Sequence, residues 1–253
     1  MKIKLKINKS LHENIADYYE QAKETRKKIK GAEKAIEETK EVMKKAEKEK
    51  KEKEKEVKVK KEKKWYEKFH WFYTSGGKLA IGGKNAQQND IVFGKYMEKD
   101  DMFFHADIQG GSAVILKDGV NASDEEMLEA AQFAGCFSNA WKNANAAVNV
   151  YSVGKEQLSK HATGGYIPTG AFAIKGERRW FNNTRLAMKV GIGEKGVEII
   201  PDVMEKKLEK TIMLLPAKSG KEKGKLAKDI AKRLGISPDE LLEILPSGKS
   251  KIK

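Results

Sequence analysis

Residues 47–64 consist of lysine and glutamate apart from two valines. A segment of this composition has too little apolar surface to contribute to a hydrophobic core. It therefore separates a charged arm from a body that has to fold around its own core. Basic residues return near the carboxy terminus, so three segments are predicted: the arm 1–64, an α+β domain 65–216 and a basic helical tail 217–253.

The arm carries a weak coiled-coil pattern. Apolar or small side chains recur at alternate steps of four and three between residues 11 and 46, which is typical of a heptad seam. Ser10 followed by Glu13 predicts an N-terminal capping box. Two architectures fit: a hairpin of antiparallel helices that turns between residues 31 and about 50, or one long helix with a solvated charged half. Alternating basic and apolar residues predict a short strand over residues 2–7.

The body begins with Trp65, Phe69 and Phe72, whose i, i+4, i+7 spacing predicts one aromatic face of a helix. Glycine pairs before and after residues 79–81 then predict tight turns around an apolar strand, because glycine takes the positive φ that such turns need. The polar run 84–90 follows the second of these turns and offers many amide donors and acceptors.

The rest of the body predicts a mostly antiparallel sheet with one long packed helix. Strands are expected at residues 102–107, 112–116, 146–153, 172–175, 186–192, 197–200 and 211–215. The helix is capped by Ser123 and Glu126 and extends to Trp141, with small residues on the face that lies on the sheet. In the tail, a basic amphipathic helix ends at Gly235 and a second short helix starts at Ser237.

The net charge of +14 lies at the two ends of the chain. Residues 1–64 hold 23 Lys plus Arg against 14 Asp plus Glu, residues 217–253 hold 10 against 5, and the residues between them hold 18 of each. Attraction to a polyanion is therefore expected from the arm and the tail. The single cysteine, Cys136, predicts a reducing, cytoplasmic setting. The sequence shows neither a signal-peptide pattern nor an apolar run of about 20 residues, so no membrane partner is expected.

Four segments resemble a known family. They are WYEKFHWF from residue 65, IGGKNAQQND from residue 81, FFHADIQGGSAVILK from residue 103 and QLSKHATGGYIPTGAFAIKG from residue 157. Together they resemble the NFACT-R domain with its preceding coiled coil, the carboxy-terminal module of the RqcH/NEMF ribosome-quality-control proteins. The tail is similar to that of archaeal members. The resemblance implies the hairpin form of the arm, because the family's helices form an antiparallel coiled coil.

Members of this family bind large ribosomal subunits that still hold a nascent chain, and they recruit aminoacyl-tRNA. The resemblance therefore implies three partners: large-subunit rRNA, tRNA and a separate chain that supplies the NFACT-N half of full-length relatives. It carries RNA contact onto Lys84, Gln88, Asn89, His105, Asp107, Gly110, Gln157, Ser159, Lys160 and Gly176. The sequence departs from the family pattern at Asn85 and Gly165, where relatives often have carboxylates.

A further candidate surface follows from the residues themselves. Trp180 and Phe181 lie inside the one local basic excess of the otherwise neutral body. Its members are Lys175, Arg178, Arg179, Arg185 and Lys189. Arginine interleaved with aromatic residues suits phosphate contact and base stacking. An exposed hairpin with ordinary surface charges fits the same residues.

Three functions are compatible with these patterns. The first is an RNA-binding component of ribosome-associated quality control, and the second is a non-catalytic coiled-coil adaptor. The third is an enzyme that uses His105 and Asp107 with a metal, which His161 could also bind. The spacing of these three residues is loose, and a structural hydrogen bond between a strand histidine and a carboxylate is the alternative. No set of nucleophile, base and oxyanion donors is recognisable, so neither catalysis nor a cofactor is expected.

Overall fold

The computed structural model describes residues 4–56, 64–160, 167–194 and 196–253. The chain divides into two compact units, residues 1–63 and 64–253. The second unit combines helices with antiparallel sheets, which confirms the predicted α+β class. Within the described ranges, the helices are too short or too polar to cross a membrane.

The first unit contains one continuous helix, α1 (Leu11–Glu56), of 46 residues and about 70 Å. The predicted capping box is confirmed: Ser10 N donates to Glu13 Oε2 at 2.7 Å, and Glu13 N donates to Ser10 Oγ at 3.3 Å. The predicted hairpin is wrong, because α1 passes through the expected turn region without a break. That region holds no proline and one glycine, Gly31, and ion pairs between residues one turn apart support the helix.

Residues 2 and 3 of the predicted first strand lie outside the described residues, and its described residues 4–7 do not form a strand. Residues 4–9 turn back on the helix, where the buried Asn14 side chain bonds the backbone of Lys6 in both directions. Asn14 Oδ1 accepts from Lys6 N at 2.8 Å, and Asn14 Nδ2 donates to Lys6 O at 3.1 Å. The Tyr18 hydroxyl donates to Lys4 O at 2.8 Å. Side chains of α1 therefore satisfy backbone groups that a strand would have paired elsewhere.

The strands of the second unit form two antiparallel sheets and a small hairpin. They are β1 (His70–Tyr73), β2 (Leu79–Gly82), β3 (Met102–Ala106), β4 (Val114–Leu116), β5 (Ala147–Gly154), β6 (Leu158–Ser159), β7 (Ala173–Ile174), β8 (Arg179–Arg185), β9 (Met188–Gly193), β10 (Gly196–Pro201), β11 (Glu209–Lys221) and β12 (Ser250–Ile252). The central sheet has the order β1-β2-β4-β3-β5-β8, the second sheet has the order β10-β9-β11-β12, and β6 pairs with β7. The strands predicted between residues 79 and 200 are confirmed, and β11 extends beyond its prediction.

The aromatic residues at the start of the second unit do not share a helix face, so this prediction is wrong. Phe72 lies in β1, whereas Trp65 and Phe69 lie in turns before it. Phe69 and Phe72 are buried in two different hydrophobic clusters, one on each face of the central sheet. Trp65 instead stacks on Tyr96, with the ring centroids 4.4 Å apart. Burial on both faces of the sheet overrides the helical spacing.

The polar run after β2 is helical. The helices of the second unit are α2 (Ala86–Ile91), α3 (Asp124–Cys136), α4 (Asn139–Lys142), α5 (Lys223–Leu234) and α6 (Pro238–Ile244). Asn85 is the N-cap of α2, since its Oδ1 accepts from Gln88 N at 2.9 Å. After α2 the chain continues in a π-helical turn, Val92–Tyr96.

The capping box predicted for α3 is confirmed. Ser123 Oγ accepts from Glu126 N at 3.2 Å, and Glu126 Oε2 accepts from Ser123 N at 3.0 Å. α3 ends before the predicted end at Trp141, because Ser138 starts the separate helix α4 with its own side-chain cap. The small side chains of α3 are buried against the central sheet, as expected.

The tail packs into the core of the second unit. The predicted boundary after residue 216 lies inside β11, and β12 pairs with β11. Leu226 and Ile230 of α5 are buried in the same cluster as the side chains of α3. Trp141 Nε1 donates to Ser250 Oγ at 3.0 Å in the buried interior. The second sheet and the tail helices therefore cover the face of the central sheet that also carries α3.

Candidate nucleic-acid interface

A cleft of about 630 Å³ lies where several elements of the second unit meet. It is lined by residues within 83–89, 103–112, 136–142 and 168–172, together with His70, Tyr151 and Ser247. Its walls therefore come from β1, the start of α2, the connection from β3 to β4, the junction of α3 with α4, and the segment before β7. Amide, hydroxyl and aromatic side chains all contribute to the lining.

Four residues that were predicted to contact RNA line the cleft: Lys84, Asn89, His105 and Gly110. The sheet order explains why they meet. β2 and β3 both pair antiparallel with β4, so they run in the same direction and end at the same edge of the sheet. The segments that follow these two strands are thereby brought together at the cleft.

Gln88 and Asn89 have structural roles at this edge. Gln88 Oε1 accepts from Lys84 N at 3.0 Å. Asn89 is buried, its Oδ1 accepts from Ala113 N at 3.0 Å, and its Nδ2 donates to Gly111 O at 3.3 Å. These bonds join α2 to the start of β4 and fix the backbone of Lys84 at the cleft.

Gly110 is required by the backbone. Its φ is 82°, and a Cβ there would come within 2.1 Å of Asn139 Nδ2. The close approach allows Asn139 Nδ2 to donate to Gln109 O at 2.9 Å and Asn139 N to donate to Gly110 O at 3.2 Å. Gly110 thus joins α4 to the cleft wall, while its contact with RNA stays a prediction.

The cleft carries positive charge. Lys84 and Lys142 line it, and the described lining residues include no Asp or Glu. Burial and the charge of Lys84 lower the pKa of Lys223, which shows that a third ammonium group lies near. Burial, followed by the charges of Lys84 and Lys223, lowers the pKa of His70 well below its usual value, so this histidine is neutral near pH 7. A concave surface with this charge favours an anionic ligand.

A row of three side chains crosses the central sheet beside the cleft. His105 pairs with Tyr151 in the strand register, and Tyr151 pairs with Trp180. The guanidinium carbon of Arg178 lies 4.7 Å from the centre of the Tyr151 ring and 5.8 Å from that of Trp180. A shallow depression that includes Asp107 and Arg178 shares His105 and Tyr151 with the cleft. We call His105, Tyr151 and Trp180 the aromatic row.

Residues 68–176, which contain most of the cleft lining, match the family of the NFACT protein RNA binding domain. The chain carries an NFACT-R domain. The predicted resemblance is therefore confirmed. The archaeal Rqc2 homolog aRqcH of Methanocaldococcus jannaschii is 43% identical over 202 residues, which cover 76% of this chain and 30% of that protein. The human ribosome quality control complex subunit NEMF is 34% identical over 184 residues, covering 69% of this chain and 17% of that protein.

The chain thus spans less than a third of the length of these relatives. A solved structure of the C-terminal part of the fibronectin/fibrinogen-binding protein from Streptococcus suis is 29% identical, with a TM-score of 0.41, and the match covers 51% of this chain and 48% of that one.

Arg178 and Arg179 lie two and three residues after the end of the NFACT-R match and on opposite faces of the sheet. Arg178 lies over Tyr151 in the aromatic row. Arg179 forms an ion pair with Asp124 at the start of α3 (Nη2 to Oδ1, 2.6 Å) and lies 5.3 Å from the Phe181 ring. The predicted basic surface is therefore divided between two faces, and only Arg178 adjoins the cleft.

Other predicted residues of the NFACT-R domain lie in or beside the β6–β7 hairpin. Gln157, Ser159, Lys175 and Gly176 are not among the described residues that line the cleft. Gln157 Nε2 donates to Lys175 O at 3.2 Å and to Glu177 O at 2.6 Å. Gln157 therefore holds the two sides of this hairpin together, and RNA contact by these four residues stays a prediction.

Lys160 positions one wall of the cleft. Its ammonium group forms an ion pair with Asp90 of α2, donates to Ala171 O at 2.8 Å and lies 4.1 Å from the centre of the Phe172 ring. Asp90 Oδ1 also accepts from Gly170 N at 3.0 Å. These contacts hold the segment 168–172 against α2 and place Phe172 at the cleft.

Arg185 and Lys189, the last members of the predicted basic excess, serve the second sheet. Arg185 Nη1 lies 3.0 Å and Lys189 Nζ lies 3.9 Å from the Asp202 carboxylate. Lys189 Nζ also donates to Met204 O at 2.9 Å. The charges of both residues are thus engaged by the segment after β10.

Several residues of the cleft were not predicted from the sequence, including His70, Phe137 and Lys142. The His70 ring stacks on Phe137 with the ring centroids 3.9 Å apart. His70 Nδ1 is buried and has no hydrogen-bond partner among the described residues. His70 lies in the family segment that starts at residue 65, but nothing in that segment singled it out. Phe137 and Lys142 lie in no such segment, so only the arrangement of strands and helices brings the three residues together.

The predicted metal set of His105, Asp107 and His161 is only partly described, since His161 lies outside the described residues. Gly165, where the sequence departs from the family pattern, lies outside them as well. In the part of the chain that the structure does describe, no group of three or more His, Cys, Asp or Glu is arranged to hold a metal ion. Burial lowers the pKa of His105, an effect that backbone hydrogen bonds and the Asp107 charge partly oppose.

Proposed function

We propose that this chain is an RNA-binding component of ribosome-associated quality control in the cytoplasm, and that it contacts large-subunit rRNA or tRNA on stalled nascent-chain complexes. The carrying observation is the cleft inside the NFACT-R match, whose described lining has two lysines and no carboxylate. The aromatic row and Arg178 extend this surface with groups that stack on bases and pair with phosphates. The names of the relatives support the setting, since they are ribosome quality control proteins.

Charge at the two ends of the chain supplies the long-range attraction in this proposal. The arm and the tail together hold 33 Lys plus Arg against 19 Asp plus Glu. Such segments raise the rate and strength of association with RNA without selecting a sequence. The cleft and the aromatic row then select the site of contact. A separate chain that carries an NFACT-N half is a further proposed partner.

Cosedimentation of the chain with purified large ribosomal subunits tests the proposal. Affinity should fall with salt, with a log–log slope of about −0.7 to −0.9 for each phosphate that the protein neutralises. The double variant Lys84→Glu/Lys142→Glu should bind more weakly than Lys99→Glu/Lys207→Glu, which changes the net charge equally at two exposed positions that do not line the cleft. Affinity that does not change between low and physiological salt would contradict the proposal.

A non-catalytic coiled-coil adaptor is the second candidate, and one observation favours it. The larger apolar side chains of the α1 seam are exposed, among them Ile15, Ile29 and Ile36. A seam of this kind can bind a partner helix. Analytical ultracentrifugation distinguishes the two functions: the adaptor should associate with itself in the absence of RNA, whereas the RNA binder should stay monomeric until RNA is added.

A further inference from the structure

The size of the cleft limits what can enter it. At about 630 Å³ it lies within the range of roughly 300–1,000 Å³ typical of sites for small molecules. A base-paired helix is too wide for such a space. Protein sites that recognise RNA commonly take bases that have left the helical stack, and hold them against aromatic side chains. The cleft therefore has room for one nucleotide of an RNA strand rather than for a duplex.

The lining of the cleft separates into a charged part and an aromatic part. Lys84 and Lys142 supply ammonium groups, and the described lining residues supply no carboxylate to oppose an anion. Phe137 and Phe172 supply aromatic surface. Phe172 is fixed by its contacts with Phe93 and Phe103, at ring distances of 4.9 and 5.4 Å. A nucleotide has the matching parts, an anionic phosphate and a flat base.

His70 provides a polar group that the described protein residues leave unused. Its ring is held by the stack on Phe137, and its Nδ1 is buried without a described partner. Buried polar atoms in proteins almost always have a hydrogen-bond partner, so this atom points to a ligand. Because the pKa of His70 is far below its usual value, the ring is neutral, and the unused Nδ1 acts as a donor or an acceptor according to the tautomer. This suits a base edge or a ribose hydroxyl.

We propose that the cleft holds one unpaired nucleotide of the bound RNA, with the phosphate near Lys84 and Lys142 and the base among the aromatic side chains, within reach of His70. This inference rests on the proposed function and names the part of the RNA that the NFACT-R domain recognises. The ligand class is a nucleoside monophosphate unit.

The test uses the full 253-residue chain and three probes: adenosine 5′-monophosphate, adenosine and inorganic phosphate. Isothermal titration calorimetry should give the tightest binding for the monophosphate, by about tenfold over either part alone. In a second assay, an RNA hairpin with 2-aminopurine in its loop should gain fluorescence on binding, since this base brightens when it leaves the stack. Equal binding of adenosine and its monophosphate would overturn the assignment of the phosphate.

Thr169→Trp is the main variant, because Thr169 is exposed and lines the cleft, so an indole there fills the space without changing charge. Val120→Trp is the matched control, since Val120 is 61% exposed and does not line the cleft. Thr169→Trp should lose monophosphate binding and the 2-aminopurine signal by about tenfold or more, while Val120→Trp retains both. His70→Phe keeps an aromatic ring on Phe137. It should weaken the binding of the monophosphate but not the binding of inorganic phosphate.

The outcomes separate this inference from the proposed function. If Thr169→Trp binds the monophosphate and the hairpin as well as the unmodified chain does, the inference is wrong. In that case salt-dependent binding to large subunits can still hold. If the unmodified chain binds neither RNA nor subunits at any salt concentration, the proposed function itself has failed. Lys142→Ala, at an exposed position of the lining, repeats the test should the tryptophan variant not fold.

Discussion

Arg178 and Arg179 are neighbours in the chain, and their different contacts make them a matched pair for mutation. Arg178 stacks over Tyr151 and Trp180 in the aromatic row. Arg179 is paired with Asp124 on the opposite face of the sheet. Both side chains are exposed, so replacing either with alanine should change the free energy of unfolding by less than about 1 kcal/mol. A difference in RNA binding between the two variants would therefore report on contact rather than on folding.

The magnitude follows from what Arg178 offers to RNA. Loss of one stacked guanidinium that also contacts a phosphate should cost about 1–2 kcal/mol, a roughly fivefold to thirtyfold weaker affinity. The log–log salt slope should become shallower by about 0.7, the value for one phosphate of a single strand. Arg179→Ala should weaken binding by less than about threefold, because the charge of Arg179 is already engaged by a carboxylate.

Fluorescence polarisation with a labelled single-stranded RNA, measured from 50 to about 200 mM salt, provides the assay. Arg178→Lys completes the series, because it keeps the charge and loses the planar stack. This variant should retain the salt slope of the unmodified chain while losing affinity. Equal losses for Arg178→Ala and Arg179→Ala would refute the reasoning, since they would mean that the body contributes only bulk charge.

Three further predictions concern the interior of the second unit. Because burial lowers the pKa of His70 far below 6.5, the unfolded chain binds more protons in acid, so stability should fall as pH drops below about 6.5, by at most about 1.4 kcal/mol per pH unit for this group. When the free energy of unfolding is measured with urea from pH 8 to 5, it should depend less on pH for His70→Phe than for the unmodified chain. An equal dependence on pH would contradict this. Glu126 is buried and accepts from Thr74 Oγ1 at 2.6 Å, so Glu126→Ala should cost about 2–3 kcal/mol in thermal unfolding, whereas the exposed neighbour Glu125→Ala should cost below about 0.5 kcal/mol; equal losses would exclude the buried bond as the cause. Burial raises the pKa of the Cys136 thiol at the end of α3, so a thiol reagent at pH 8 should react with it only after denaturant is added. Fast reaction of the native protein would contradict this and would show that α3 opens.

Several local signals in the sequence gave the correct local structures, although the helical spacing of Trp65, Phe69 and Phe72 did not. The capping boxes at Ser10 and Ser123 each depend on residues three apart, so they can be recognised without knowledge of the fold. Glycine pairs and apolar runs located most strands between residues 79 and 200 for the same reason, but β6 and β8 were not predicted. The hairpin of the arm was wrong because it rested on the resemblance, while the lysine and glutamate composition is equally compatible with the unbroken helix α1.

The cleft is formed by residues from distant parts of the chain, and this could not be predicted from the sequence. Lys84, His105 and Gly110 could be named through the family resemblance, but their convergence depends on the position of β4 between β2 and β3. His70 and Lys142 are 72 positions apart and carry no shared motif, so their proximity to the cleft is visible only in three dimensions. Arg178 and Arg179 serve different faces because neighbouring side chains alternate along extended chain, but β8 itself was not predicted.

The position of β8 has a consequence for anyone who plans to shorten this protein. The stretch with recognisable family motifs stops at residue 176, just before β8, which pairs with β5 and places Phe181 against Phe104. A fragment cut at that residue would lose one side of the aromatic row. It would also leave β5 as a bare edge, the kind of surface on which chains aggregate. The smallest piece fit for binding assays is therefore longer than the motif, and it has to include the strands and helices up to β12.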